Sequence, residues 1–184
     1  HYASQLQEKE KYDLTIWPFH SMLGGIGHAL VPAVEEALFY HSIARSAAID
    51  FEIKGSHPLT EHYSIIGPEI ATDSDGDLLV GRNPEFIHIL QQYDTVIIAG
   101  QAKSHCVAWT IDDLLTEIIK TDESLVRKVY LLEDCSSPVV VPGIVDFTEA
   151  AKAAFQRFSD AGMHVVRSTD PLNSWLVSPD RKKA

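Results

Sequence analysis

Two nearly continuous apolar runs, residues 95–99 (TVIIA) and 128–132 (KVYLL), constrain this chain more than any other feature. A strand with one wet face alternates apolar and polar residues. An uninterrupted apolar run instead implies a strand covered on both faces, as in parallel sheets. Helical periodicity brackets both runs, over about residues 84–93, 105–120 and 147–161, and a further strand follows at 164–167. Strand and helix in alternation, with short connections, predict an α/β fold: a three-layer α/β/α arrangement around a mostly parallel central sheet. With 184 residues, 45% of them hydrophobic, the chain is long enough for one domain spanning residues 1–184.

The first half is less regular. Residues 2–12 read as the end of a polar-faced helix, and residues 13–17 (DLTIW) as a short strand stopped by Pro18. Pro32 suits the first turn of a helix to about Arg45, with Val34, Ala37, Leu38 and His41 on one face. Residues 49–53 (IDFEI) form a predicted strand ending at Lys54-Gly55. Residues 56–82 read as loop, with a hairpin turn at Ser74-Asp75-Gly76-Asp77. The tail after Asp170 is polar and is expected to fray. The absence of an initial Met and the helix-like start suggest the C-terminal portion of a longer chain.

Charge and composition narrow the partners. The formal net charge is −11, with no Lys/Arg block able to track a phosphate backbone, so nucleic acid and anionic membrane are poor partners. No apolar run approaches the ~18 residues of a membrane span. Two cysteines do not make a disulfide framework, which points to free thiols in a reducing cytoplasm.

In an open α/β sheet, sites gather beyond the carboxyl ends of the strands. Cys106 fits best: it follows the 95–99 strand by a short loop and opens a helix whose apolar face is Val107, Ile111, Leu114, Leu115 and Ile118. Ser104 is a plausible N-cap. A thiol in that place meets the positive end of a helix dipole and N–H groups able to hold an oxyanion. The alternative is a small buried hydrophobe. Lys54 ends a strand and can reach across the sheet to support a thiolate, or it is an ordinary solvated lysine. His20, in Trp17-Pro18-Phe19-His20, suits a metal ligand, an acid–base group or a hydrogen-bonded structural residue.

Other signals fail on spacing. Gly24, Gly25 and Gly27 satisfy no phosphate-binding pattern. Asp73, Asp75 and Asp77 begin like a calcium loop, but Gly76 is misplaced and Pro84 stands where a Glu is needed. Cys135 reads as packing at a strand end.

Three segments, in order across residues 13–167, resemble the isochorismatase-like cysteine hydrolases, which include the nicotinamidases. Gly100-Gln101-Ala102-Lys103-Ser104-His105-Cys106-Val107, with Trp109-Thr110 and Asp112-Asp113, resembles the nucleophile segment. Trp17-Pro18-Phe19-His20-Ser21 with Gly24-Gly25 resembles the WPxHC motif, Ser21 replacing Cys. Lys54-Gly55 with Tyr63-Ser64 resembles the Lys-Gly…Tyr-Ser segment. Lys103, Ser104 and His105 depart from the Thr, Asp and apolar residue common in nicotinamidases.

The resemblance implies an Asp-Lys-Cys triad in which Cys106 and Lys54 are catalytic, while the Asp would lie upstream of His1. It implies a cis peptide at Gln101–Ala102, and an oxyanion hole and substrate loop from Ala102, His105 and Cys106. Of the family's metal site only His20 carries over. The thiol chemistry needs no cofactor, with zinc or another divalent ion as an optional addition. The implied substrate is a small amide, nicotinamide first, and the implied assembly a homo-oligomer. Carbamoyl or isochorismate-type hydrolysis, and a non-catalytic binding or scaffold domain, are the alternatives.

Overall fold

A computed structural model describes residues 1–9 and 12–175. The chain divides into two compact units, one of His1 with Ala3–Ile53 and one of Tyr2 with the chain from Lys54 onward.

The larger unit is built on a parallel sheet. Strands β1 (Val96–Ile98), β2 (Val129–Leu132) and β5 (His164–Val166) lie in the order β1-β2-β5, all parallel. The register pairs Ile97 with Tyr130, and Tyr130 with His164. Helix α3 (Pro84–Gln91) precedes β1, α4 (Ala108–Thr121) crosses from β1 to β2, and α5 (Thr148–Asp160) leads to β5. The small antiparallel pair β3 (Val140–Val141) and β4 (Val145–Asp146) sits between β2 and α5, and α6 (Leu172–Trp175) follows β5. The apolar runs seen in the sequence are the two strands β1 and β2, and the α/β class follows.

Strand order and handedness place the helices. Right-handed crossovers between adjacent parallel strands put α4 and α5 on the same face. On that face Val96, Ile98, Val129, Leu131 and Val165 meet Ile111, Leu114, Leu115 and Ile118 of α4 and Phe155 and Phe158 of α5. On the opposite face Tyr130 stacks on His164, with Trp175 tilted against it, while Ile97 stays half exposed. Asn83 caps α3 by accepting the Phe86 N–H at 3.1 Å, and Pro84 needs no donor there.

The loop between Lys54 and α3 is anchored rather than loose. Ile66 and Ile70 are buried, and the Thr60 hydroxyl donates to the Ile70 carbonyl at 2.7 Å. The hairpin turn forms: Thr72 and Leu78 make an antiparallel bridge, and Asp73 Oδ1 accepts the N–H groups of Asp75 and Asp77, both at 2.9 Å. That carboxylate is committed to its own turn.

Near the start of the chain α1 spans Tyr2–Glu8, and in the smaller unit α2 (Pro32–Arg45) forms as its pattern predicts and ends at Ser46 in the left-handed region. Its apolar stripe buries no residue, and only Leu38 among the expected face is half-buried. Two expected strands are absent: residues 13–17 and 49–53 have no regular secondary structure and join no ladder. Their β-branched and aromatic residues suit a sheet, but strand identity requires a paired neighbour. Ile16, at 83% exposure, has none covering it. The tail is helical over α6, and residues 176–184 of the expected frayed end lie outside the described residues.

Candidate active site

Gly100 follows β1 with φ near +130°, a region side-chain-bearing residues rarely adopt, and its N–H donates to the Cys135 carbonyl at 3.1 Å. The next peptide, Gln101–Ala102, is cis. A single π-type turn, Lys103–Val107, then carries the thiol. It is closed by the Val107 N–H donating five residues back to the Ala102 carbonyl at 3.1 Å. Helix α4 begins only at Ala108. Cys106 thus sits in a wide turn before the helix, not in the first turn of the helix as expected. Such turns recur at functional sites because they displace one residue from the helical ladder.

The turn is held on three sides. Its first N–H, from Lys103, donates to the Ser137 carbonyl at 2.8 Å. Lys103 itself is 6% exposed, with Nζ 3.3 Å from Glu133 Oε1 and 4.2 Å over the Phe155 ring. A lysine this buried needs both partners. Ser104 does not cap a helix; its Oγ accepts the Val139 N–H at 3.0 Å and lies 2.8 Å from His105 Nδ1. The Ser104 hydroxyl thus bridges the Val139 backbone and the His105 ring, its second contact donating or accepting according to the imidazole tautomer. Burial holds His105 below its ordinary pKa, partly offset by the Glu61 carboxylate. Its ring packs edge-on to Phe147 at 4.7 Å and tilted to Tyr63 at 5.4 Å.

Lys54 and Cys106 come together. Lys54 Nζ donates to Cys106 Sγ at 3.3 Å and to the His62 carbonyl at 2.7 Å. Gly55, with φ near +75°, lets the chain turn back so that its N–H reaches His62 Nδ1 at 3.3 Å. His62 is held below its ordinary pKa, first by burial and then by the Lys54 charge. The neutral ring is what Gly55 requires, since a protonated Nδ1 accepts nothing. Among the described residues no carboxylate hydrogen-bonds to Cys106 or pairs with Lys54.

The remaining expected residues are placed less productively. The His105 N–H donates to the Ala102 carbonyl at 3.0 Å, which removes it from the expected set of oxyanion donors and leaves Ala102 and Cys106. His20 is exposed in the smaller unit, its Nδ1–H donating to the Pro18 carbonyl at 2.7 Å. Among the described residues no three His, Cys, Asp or Glu side chains converge as metal ligands. One imidazole is not a donor set for zinc, so no chemistry is derived from a metal. Cys135 is exposed rather than packed, because the short 3₁₀ turn Glu133–Cys135 swings it off the strand end. Both cysteines are free.

Sequence reasoning gives His62 no role and marks Lys103 only as a departure from the nicotinamidase pattern. His62 lies eight residues beyond Lys54, a separation set by a loop without periodicity. A lysine directly ahead of an apolar helix face was the only available sign for Lys103.

Sheet order and crossover helices define an α/β fold, with the thiol turn directly after β1. No protein-family model and no curated protein matches the sequence, so the likeness lies in structure. The chain shares its fold with a nicotinamidase/pyrazinamidase of Acinetobacter baumanii, at TM-score 0.51 and 22% identity over 87% of this chain. It also shares the fold of the yeast nicotinamidase bound to the inhibitor nicotinaldehyde, at TM-score 0.54 and 18% identity over 85% of this chain. The chain spans 63% and 61% of those two proteins, less than two thirds of either. Among the described residues no helix is long and apolar enough to cross a membrane.

Proposed function

We propose that the protein hydrolyses a small amide, nicotinamide or a close relative, through a thioester at Cys106. The observation that carries this reading is the 3.3 Å approach of the Lys54 ammonium to the Cys106 sulfur. A cation there stabilises the thiolate, and only the thiolate is a competent nucleophile. The amide class rests on the resemblance in the nucleophile, WPxH and Lys-Gly segments, with the shared fold in support.

The reaction balances with the chain's own groups. The Cys106 thiolate attacks the amide carbon, forming a C–S bond and moving charge onto oxygen, where the Ala102 and Cys106 N–H groups are the proposed donors. The C–N bond then breaks, and the leaving nitrogen takes a proton from Lys54. Water attacks the thioester, gives a proton to the Lys54 amine, and the C–S bond breaks to release the acid and restore the thiolate. We place this reaction in a reducing cytoplasm, where both thiols persist, and in a homo-oligomer.

A binding domain without turnover is the second reading. It is favoured by the lack, among the described residues, of a carboxylate reaching the thiol. Ammonia release from nicotinamide and a panel of small amides decides between them. Turnover that disappears in Cys106→Ser, with an acyl adduct on the Cys106 peptide in wild type, supports the hydrolase. Turnover retained by Cys106→Ser rejects it.

A further inference from the structure

Contacts around the thiol form a closed ring. Cys106 Sγ meets Lys54 Nζ at 3.3 Å, and Lys54 Nζ is tethered to the His62 carbonyl at 2.7 Å. His62 is followed in the chain by Tyr63, whose ring packs on the His105 ring at 5.4 Å, and His105 immediately precedes Cys106. Each link is short and one-residue steps join them. The sole link made by packing between side chains is the pair Tyr63–His105.

We propose that His105 is a positioning residue for the Lys54–Cys106 pair, its side chain fixing the segment that tethers Lys54 at its working distance from the sulfur. Two features suit it to that task. The ring cannot swing freely, because Ser104 Oγ holds Nδ1 at 2.8 Å and is itself held by the Val139 N–H at 3.0 Å. Phe147 blocks a second side of the ring at 4.7 Å. A rigid ring on the nucleophile turn thereby buttresses Tyr63, and so the carbonyl one residue earlier that receives Lys54.

Lys54 is a flexible, exposed side chain, and four rotatable bonds give its ammonium many places to go. A single carbonyl tether keeps it near sulfur only if that carbonyl is fixed. Removing the His105 ring frees the 62–63 segment, and the ammonium spends less time at the thiol. The effect travels through Lys54, which separates it from general loosening of the fold.

This inference rests on Cys106 as an activated thiol supported by Lys54, and the experiment keeps the two apart. Iodoacetamide alkylation of Cys106 is followed on the intact chain by peptide mass spectrometry near pH 7. The exposed free thiol of Cys135 serves as an internal reference. In wild type, Cys106 reacts faster than Cys135, and Lys54→Met slows it roughly tenfold, as loss of an adjacent charge requires.

His105→Ala is expected to slow Cys106 about three- to tenfold relative to Cys135. His105→Phe, which keeps a ring against Tyr63, stays within about twofold of wild type. In the Lys54→Met background His105→Ala adds nothing, since its route is already cut. If His105→Ala does not fold, Tyr63→Ala removes the same contact from the other side and is read in the same way. An unchanged rate in His105→Ala, an additive loss in the double variant, or failure of His105→Phe to hold the rate overturns the proposal. If Lys54→Met itself leaves Cys106 at its wild-type rate, the functional reading falls, and the positioning role with it.

Discussion

Lys54 Nζ and Cys106 Sγ, 52 residues apart in the chain, meet at 3.3 Å at the carboxyl end of the parallel sheet. Neither residue is held there by the other. Cys106 is set by the turn after β1, and Lys54 by the His62 carbonyl. Two groups each anchored on its own backbone segment and brought within hydrogen-bond reach make a pre-organised pair, which is the arrangement a nucleophile and its electrostatic support need.

Lys54→Met tests the charge at constant bulk. Lys54 is exposed, so the water-like limit applies, in which two unit charges at this distance interact by about 1.3 kcal/mol. Cys106 alkylation at neutral pH should fall roughly tenfold by that measure. Raising the salt concentration should narrow the gap between variant and wild type, since exposed charges are screened. A gap indifferent to salt would place the effect somewhere other than in the Lys54 charge.

Acid should loosen the site through His62 and His105. Both imidazoles are held below their ordinary pKa, chiefly by burial, so the folded state binds protons less readily than the unfolded chain. Their contribution is fully present above the unfolded value near 6.5 and is lost as pH falls from there through each folded value. Urea midpoints measured between pH 7.5 and pH 5 should therefore decline with acidity. The decline should be shallower in His62→Gln and in His105→Phe. Midpoints that rise toward pH 5 would contradict the sign of both shifts.

What the sequence disclosed and what it hid divides along a physical line. β1, β2 and α4 were legible because burial writes itself into periodicity: Val107, Ile111, Leu114, Leu115 and Ile118 are all buried as their spacing implied. Residues 13–17 and 49–53 carry the same strand-forming composition but no ladder, because pairing is a property of the partner and not of the segment. At the site, Cys106, Lys54 and the cis Gln101–Ala102 bond could be named because each belongs to a local motif. The His62 tether, the wide turn and the burial of Lys103 arise from tertiary packing, which leaves no local spacing to read. His105 was named for its backbone N–H, yet that N–H is spent on Ala102, and its ring makes the contacts.

The two faces of the sheet should respond unequally to truncation. Phe158 of α5 is fully buried in the core between helices and sheet. Phe158→Ala should cost about 3–5 kcal/mol, the sum of lost transfer energy and the cavity left behind. Ile97 points from β1 to the opposite face and is 46% exposed. Ile97→Ala should cost less than about 1.5 kcal/mol, because little apolar area leaves water there. Denaturant titrations of both variants check the contrast, and equal losses would mean that the second face is covered in solution.

The Lys103–Glu133 pair should break asymmetrically. Lys103 is buried beneath α5, whereas the Glu133 side chain is 46% exposed. Glu133→Gln removes the partner and strands an ammonium out of water, leaving only the Phe155 ring face at 4.2 Å to compensate it. Lys103→Met removes the buried charge, keeps most of the aliphatic volume, and leaves a carboxylate that water can solvate. Glu133→Gln should therefore destabilise the fold by about 1–3 kcal/mol, and Lys103→Met by less than about 1 kcal/mol. Because Lys103 opens the turn that carries Cys106, Glu133→Gln should also broaden the spread of alkylation rates at that thiol. Chemical denaturation of the two variants side by side tests the ordering. A larger loss in Lys103→Met would show that the ion pair contributes net stability in place of a tolerated buried charge.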